Sequence, residues 1–279
     1  MILQTDTSHR YKKHSLNIPN ILNTNQTIKI FHQNIRSLRN KANELSCHIQ
    51  DDPPLIYIIC ISEHHLKEFE LQLTHLANYS LGASYCRKNF LKGGVSIFVH
   101  RNLIYNNINI DEHNIDKDIE ACAIQLDSTL NKLCILAIYR SPRGDFTNYL
   151  QRLDLILQKL YSNKYNMVIC GDVNVNYLID TNRRSQLVAI LHSYNLMGIV
   201  EFPTRFGLTS QTAIDNVFID RFTMGNYKLY PLINELSDHD AQMLILNNGP
   251  KKKRKRKRKR NVILTLKGKS ISIPLKIFS

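Results

Sequence analysis

The stretch MVICGDVNVN at residues 167–176 sets an acid and an amide two apart at the end of an apolar run. Met167, Val168, Ile169 and Cys170 belong in a core; Gly171, Asp172 and Asn174 follow. Gly, Asp and Asn are ordinary turn residues, so a turn explains them. A polar site at the carboxyl end of a strand explains them too, and such side chains can hold a cation or move a proton. Five other places repeat the pattern. IFHQN ends at Asn34, IICISEHH reaches Glu63, and ILAIYRSP reaches Tyr139. AIDNVFID sets Asp215 among apolar residues, and NELSDHDAQML puts Ser237, Asp238 and His239 directly before a strand. Each has a structural reading alone: Asn34 as a turn, Glu63 as a helix cap, Tyr139 as a core ring. Polar groups at six buried strand ends together point to a site, because strand ends converge on sheet rims where sites form.

The elements that must position these residues are legible in the periodicity. TIKIFHQN alternates as a strand does, and PLIYIICIS is a continuous apolar run, hence a strand buried on both faces. SLRNKANELSCHI places Leu38, Ala42, Leu45 and Ile49 on one helical face. Strands are expected at GGVSIFVH, ACAIQL, KLCILAIYR, MVICG, AIDNVFID and DAQMLILN. In DFTNYLQRLDLILQKLY, Phe146, Tyr149, Leu150, Leu153, Ile156, Leu157 and Leu160 make a helical stripe, and a further helix is expected from Asn182 to Tyr194. Hairpin-like β pairs interrupted by helices suit two stacked sheets with helices outside better than a doubly wound parallel sheet.

The net charge of +14 belongs almost entirely to one end. Residues 251–279 hold 13 of the 37 Lys and Arg and no acid, which leaves 24 bases against 23 acids in residues 1–250. Any polyanion must therefore be drawn to the folded part by local patches. The organisation expected is a polar leader at 1–26, a domain at 27–247, a basic linker at 248–260 and a tail of unknown role at 261–279. KKKRKRKRKR stays solvated, and it fits nuclear import as well as general polyanion affinity. The six cysteines lack paired metal spacing and several lie in apolar runs, so reduced thiols and a nuclear or cytoplasmic location are expected. No basic-then-apolar start suggests a signal peptide, and no apolar run is long enough to span a membrane.

The ordered set Asn34, Glu63, Tyr139, Gly171-Asp172-Val173-Asn174, Asp215 and Ser237-Asp238-His239 resembles the endonuclease/exonuclease/phosphatase superfamily across residues 27–247. FHQNIRSLRNKANEL, ISEHHL, GGVSIFVH, IYRSP and TSQTAIDNVFI look like the endonuclease domain of jockey-type non-LTR retrotransposons. The resemblance implies a four-layered α/β sandwich, with two packed mixed β-sheets flanked by helices. It implies Mg²⁺-dependent hydrolysis of DNA phosphodiesters by strand nicking, with Mn²⁺ as a substitute. A divalent cation offsets the anionic ester and stabilises the leaving oxygen.

By the same resemblance Glu63 is the principal metal ligand, with Asp238 and Asn34 nearby. Asp172 activates water, and Asn174, two along in an extended segment, reaches the same phosphate. His239 contacts a non-bridging oxygen, Asp215 orients it and favours imidazolium, and Tyr139 donates to the phosphate. Arg36 stands where several branches carry Asp or Asn, which leaves fewer metal ligands. Arg140, Arg143 and Arg205 are expected in polar loops beside the site, with Arg140 and Arg205 as DNA contacts; Thr204 and Ser210 are lesser phosphate candidates. His64 and His65 are expected as solvated loop residues, since imidazole is a poor Mg²⁺ ligand. Lys92-Gly93-Gly94 is expected as a turn. Without a polymerase motif, the chain is expected to be a truncated or stand-alone endonuclease, with a reverse transcriptase or element RNA as partners in trans. A catalytically idle nucleic-acid-binding remnant and a small-molecule phosphoesterase are the alternatives.

Overall fold

A computed structural model describes residues 27–50, 56–127, 132–207, 209–220, 227–246, 263–266 and 269–272. The expected leader and basic run lie outside these residues.

The first sheet is built from β1 (Ile28–Asn34), β2 (Ile56–Ser62), β3 (Tyr79–Tyr85), β4 (Val95–His100), β13 (Tyr227–Leu232) and β14 (Ala241–Leu246), in the order β13-β14-β1-β2-β4-β3. The second contains β5 (Tyr105–Ile108), β6 (Glu120–Asp127), β7 (Lys132–Tyr139), β8 (Asn166–Asp172), β9 (Leu196–Gly198) and β12 (Asp215–Asp220), in the order β5-β6-β7-β8-β12-β9. Both sheets are mixed: β1 runs parallel to β2 and β7 to β8, and the other pairs are antiparallel. A short hairpin, β10 (Arg205–Phe206) with β11 (Gln211–Thr212), projects before β12. Ile263–Leu266 and Lys269–Ser272 pair as a separate two-stranded ribbon.

The inner faces interlock through Ile58, Ile97, Ile124, Ile135, Val168 and their neighbours. On the outer face of the second sheet lie α3 (Phe146–Leu160) and α4 (Asn182–Ser193). On the outer face of the first lie α1 (Ala42–Gln50) and α2 (Glu68–Leu73). The result is the four-layered sandwich that the sequence pattern implied.

The α3 stripe is buried as expected, from Tyr149 and Leu150 to Leu157 and Leu160. Asp145 caps it by accepting from the Asn148 N–H at 2.8 Å, which satisfies a backbone donor that has no partner within the helix. The helix read from Leu38 starts later, at Ala42, because Arg36 (φ 47°) and Ser37 (φ 90°) turn the chain in left-handed backbone first. Strand β1 also differs from its alternating pattern: all seven residues are buried. Its polar positions find internal partners, His32 with Gln242 and Ser62, and Gln33 with Asn234. A polar alternate face is therefore covered here, because internal hydrogen bonds replace water. All six cysteines are free thiols. No helix among the described residues is long and apolar enough to cross a membrane.

Candidate active site

Side chains on a strand alternate between faces, so every second residue enters the space between the sheets. Along β8 these are Val168, Cys170 and then Asp172; along β7 they end at Tyr139; along β1, Ile28 and Ile30 precede His32 and Asn34. On β12, Val217 and Ile219 follow Asp215. Register aligns these ends: Tyr139 lies opposite Asp172, Asp172 opposite Asp215, and Asn34 opposite Ser62 just before Glu63. The inward side chains of each strand thus change from apolar to polar toward one end, and these ends meet on one rim.

Asn34 joins the sheets. Its Nδ2 donates to Asp172 Oδ2 at 2.9 Å and to Glu63 Oε1 at 3.1 Å. Asp172 is 1% exposed and also accepts the Asn174 backbone N–H at 2.9 Å through Oδ1. Burial first, then the charges of Asp215 and Glu63, push the Asp172 carboxyl up to about 8 against the opposing pull of His239. His239 Nδ1 lies 2.8 Å from Asp215 Oδ2, which also accepts from the Thr204 hydroxyl at 2.8 Å. Burial works against the imidazolium, but Asp215 by charge and hydrogen bond, with Asp172 and Asp238, outweighs it and raises His239 to about 9. The other Asp215 oxygen is buried without a hydrogen-bond partner. Glu63, at a left-handed φ of 53°, is ionised: burial opposes this, but hydrogen bonds from His65, Asn34 and Tyr139 lower it to about 2.

These residues fit a hard divalent cation. Asp172 lies within electrostatic reach of both Glu63 and Asp215, so three carboxyl groups share the site, and one buried oxygen of Asp215 has no hydrogen-bond partner. Carboxyl oxygens of Asp172 and Asp215 lie within 4.8 Å of each other and of a His239 ring nitrogen, whose proton leaves the two acids as the ligands of that group. Oxygen-rich donor sets of this kind suit Mg²⁺ rather than softer ions.

Several placements differ from expectation. Asn174 is not extended beside Asp172: it adopts φ 49°, and its Nδ2 donates to the Arg140 carbonyl at 2.7 Å. Asn tolerates this backbone, and the Asp172 carboxylate caps its N–H. Gly171 is not the turn but a strand residue, where a Cβ would lie 2.0 Å from the Ile138 carbonyl. Arg140, expected as a DNA contact, is 0% exposed. Its Nε donates to Val173 O at 2.9 Å and its Nη2 to Asn174 O at 2.8 Å, so it holds the loop after β8 from behind. His64 is buried rather than solvated; burial first lowers it to about 4, and Gly94 clears space for its ring. His65 lies 2.9 Å from Glu63 Oε2. Asp238, expected beside the cation, instead accepts Arg36 Nη1 at 2.8 Å on both oxygens and Arg205 Nε at 3.0 Å. Guanidinium donors thus occupy both oxygens that were expected to face a metal. Lys92-Gly93-Gly94, expected as a turn, is a bend at Lys92 followed by two glycines that enter β4 in left-handed backbone, at φ 102° and 88°.

Sequence reasoning gave Thr204 only as a lesser phosphate candidate, yet its hydroxyl is committed to Asp215. It missed Glu120, opposite Tyr139 in register, and Arg87, whose guanidinium lies 5.6 Å from the Tyr139 ring centre and bonds Glu120. Neither stands in a recognisable motif.

No curated protein sequence is significantly similar to the chain. Among solved structures, the endonuclease domain of TRAS1, a telomere-specific non-LTR retrotransposon, superposes with a TM-score of 0.62 at 15% identity, over 80% of this chain and 99% of that one. The Neisseria 3′ phosphatase NExo, bound to a product DNA hairpin, gives 0.61 at 14%, covering 78% and 99%. D. rerio TDP2 with a single-strand DNA product gives 0.58 at 13%, covering 80% and 99%. At such identities the likeness shows a shared fold. The sequence itself matches the family over residues 15–239, the stretch that carries the rim residues from Asn34 to His239. The chain therefore belongs to the endonuclease/exonuclease/phosphatase family.

Proposed function

We propose that the protein is a Mg²⁺-dependent endonuclease that nicks DNA, of the jockey-type non-LTR retrotransposon kind. The observation that carries this reading is the rim itself. A buried acid with a raised pKa, a histidine held as imidazolium and an ionised glutamate meet where two sheets end.

Glu63 would hold the cation, with Asp172 and Asp215 facing it; Asn34, expected as a further ligand, turns its Nδ2 to Glu63 and Asp172 and its Oδ1 to the Arg36 N–H, so it would position those carboxyl groups instead. When bound, Mg²⁺ offsets the charge of the phosphodiester and stabilises the leaving oxygen. Asp172 takes the proton of the attacking water. Burial among acids keeps its carboxyl protonated near neutral pH, and a cation among those acids favours the ionised base. Asn34 Nδ2 fixes the Asp172 carboxylate. His239, with Nδ1 committed to Asp215, presents Nε2 to a non-bridging oxygen, and its charge balances the anion formed as water adds. Tyr139, whose one O–H donates to Glu63 in the free protein, would turn that donor to the same phosphate when substrate binds. Arg205, half-exposed on the β10–β11 hairpin, contacts the DNA backbone.

The run KKKRKRKRKR adds salt-sensitive affinity for DNA and suits a nuclear site of action. A reverse transcriptase or element RNA supplied in trans would use the nick. Supercoiled plasmid tests the reading: Mg²⁺ gives open circles, and EDTA leaves the substrate supercoiled. Hydrolysis of inositol phosphates without nicking would replace the DNA reading by the phosphoesterase one.

A further inference from the structure

Arg36 occupies strained backbone. Its φ of 47° and that of Ser37, 90°, are left-handed, a conformation unfavourable for a non-glycine residue that persists only where the surroundings impose it. Here they do: Ser37 N donates to Glu63 O at 2.8 Å, Leu38 N to His64 O at 3.0 Å, and Lys41 Nζ to Ile35 O at 2.8 Å. The turn carries the Arg36 guanidinium across to Asp238, 202 residues away in sequence.

Asp238 is then shared by two guanidinium groups. Neutralising one carboxylate requires one cation, so the assembly keeps an excess positive charge. Among the described residues, Arg36 makes its side-chain bonds through Nη1 and Arg205 through Nε. Nε and Nη2 of Arg36 and both Nη groups of Arg205 remain for another acceptor. The side chains are 48% and 40% exposed, so they meet solvent. Asp238 Oδ1 lies 4.0 Å from His239 Nε2, which places this charge beside the catalytic histidine. The site is otherwise acidic and would repel an anion, and a planar fork with free N–H groups is the group best matched to a phosphate.

We propose that Arg36 is a substrate-binding residue that takes a backbone phosphate of the nucleic acid, and that Asp238 is the anchor holding Arg36 and Arg205 in place rather than a ligand of the metal. This rests on the reading of the substrate as DNA.

Binding of the full chain to a short DNA duplex in EDTA, titrated with salt, tests the clamp without any turnover. Loss of one phosphate contact lowers the slope of log K against log salt by about 0.9. R36Q is expected to show that drop, and R101Q, an exposed arginine at the opposite end of the first sheet, is expected to keep the wild-type slope. R36K keeps the charge and loses the fork, so it should keep the slope while Kd rises roughly threefold to tenfold. An R36Q slope equal to that of wild type, or R36K binding as tightly as wild type, overturns the proposal. Plasmid nicking with Mg²⁺ separates the two readings. A changed slope with no nicking by the wild type keeps the clamp and removes the nuclease; an unchanged slope with normal nicking does the reverse.

Discussion

Two acid–base assemblies stand side by side on the rim, and burial separates them. Asp215 and His239 are enclosed between the sheets, whereas Asp238, Arg36 and Arg205 lie on the edge with about a third to a half of each side chain in solvent. Ion pairing is common to both. In the enclosed pair burial opposes the imidazolium, and the Asp215 carboxylate, by charge and hydrogen bond, overcomes it and raises His239 to about 9. On the edge, water screens the pairing, and the guanidinium groups keep donors free for a substrate. The enclosed assembly is suited to proton and charge chemistry, and the edge assembly to holding an anion.

The comparison predicts unequal consequences. The largest belongs to the enclosed side: D172N or H239A should lower the nicking rate by about 10²–10⁴ with the circular dichroism spectrum unchanged, because each removes a positioned proton-transfer or charge-stabilising group. A rate near wild type in plasmid relaxation would dissolve the distinction. E63Q should raise the Mg²⁺ concentration for half-maximal nicking by at least about tenfold, read from a Mg²⁺ titration.

Two arginines sharpen the contrast in stability. R140Q strips buried carbonyls of Val173 and Asn174 of their donor and should cost roughly 2–4 kcal/mol in urea unfolding. R205Q removes a half-exposed partner and should cost less than about 1 kcal/mol.

The pH dependence should run in opposite directions for the two assemblies. His239 is raised from 6.5 to about 9, so its contribution is complete below 6.5 and is lost as pH rises through 9. Asp172, raised from 3.8 to about 8, also binds its proton more tightly in the folded state: its contribution is complete below 3.8 and is lost as pH rises through 8, overlapping the His239 loss only above 6.5. Asp238 is lowered from 3.8 to about 2: burial opposes this, and hydrogen bonds from Arg36 and Arg205 prevail. Its contribution is present above 3.8 and is lost as pH falls through 2. In EDTA, these two groups should therefore lower Tm from about pH 4 up to pH 9, and D172N should lose the part of the fall below about 6.5; an unaltered profile in that variant would remove the Asp172 contribution.

What the sequence made legible follows the same division. Strand ends at Asn34, Tyr139, Asp172 and Asp215 could be read because a polar residue interrupts an apolar run, and period-two alternation fixes which face it takes. The α3 helix was legible from its stripe. Arg140 was not: a buried arginine that serves backbone carbonyls looks in sequence like any loop cation. His64 looked solvated because its burial depends on the loop at Gly93-Gly94, some thirty positions away in sequence. The ion pair of Asp238 with Arg36 joins residues 202 apart, and nothing local signals it.

Nicking of supercoiled plasmid by wild type and D172N, each with Mg²⁺ and with EDTA, tests the central claim most directly. Open circles from the wild type with Mg²⁺ alone, and a rate lower by about 10² or more in D172N, are expected. Equal nicking by both proteins, or no nicking by the wild type with Mg²⁺, would contradict it.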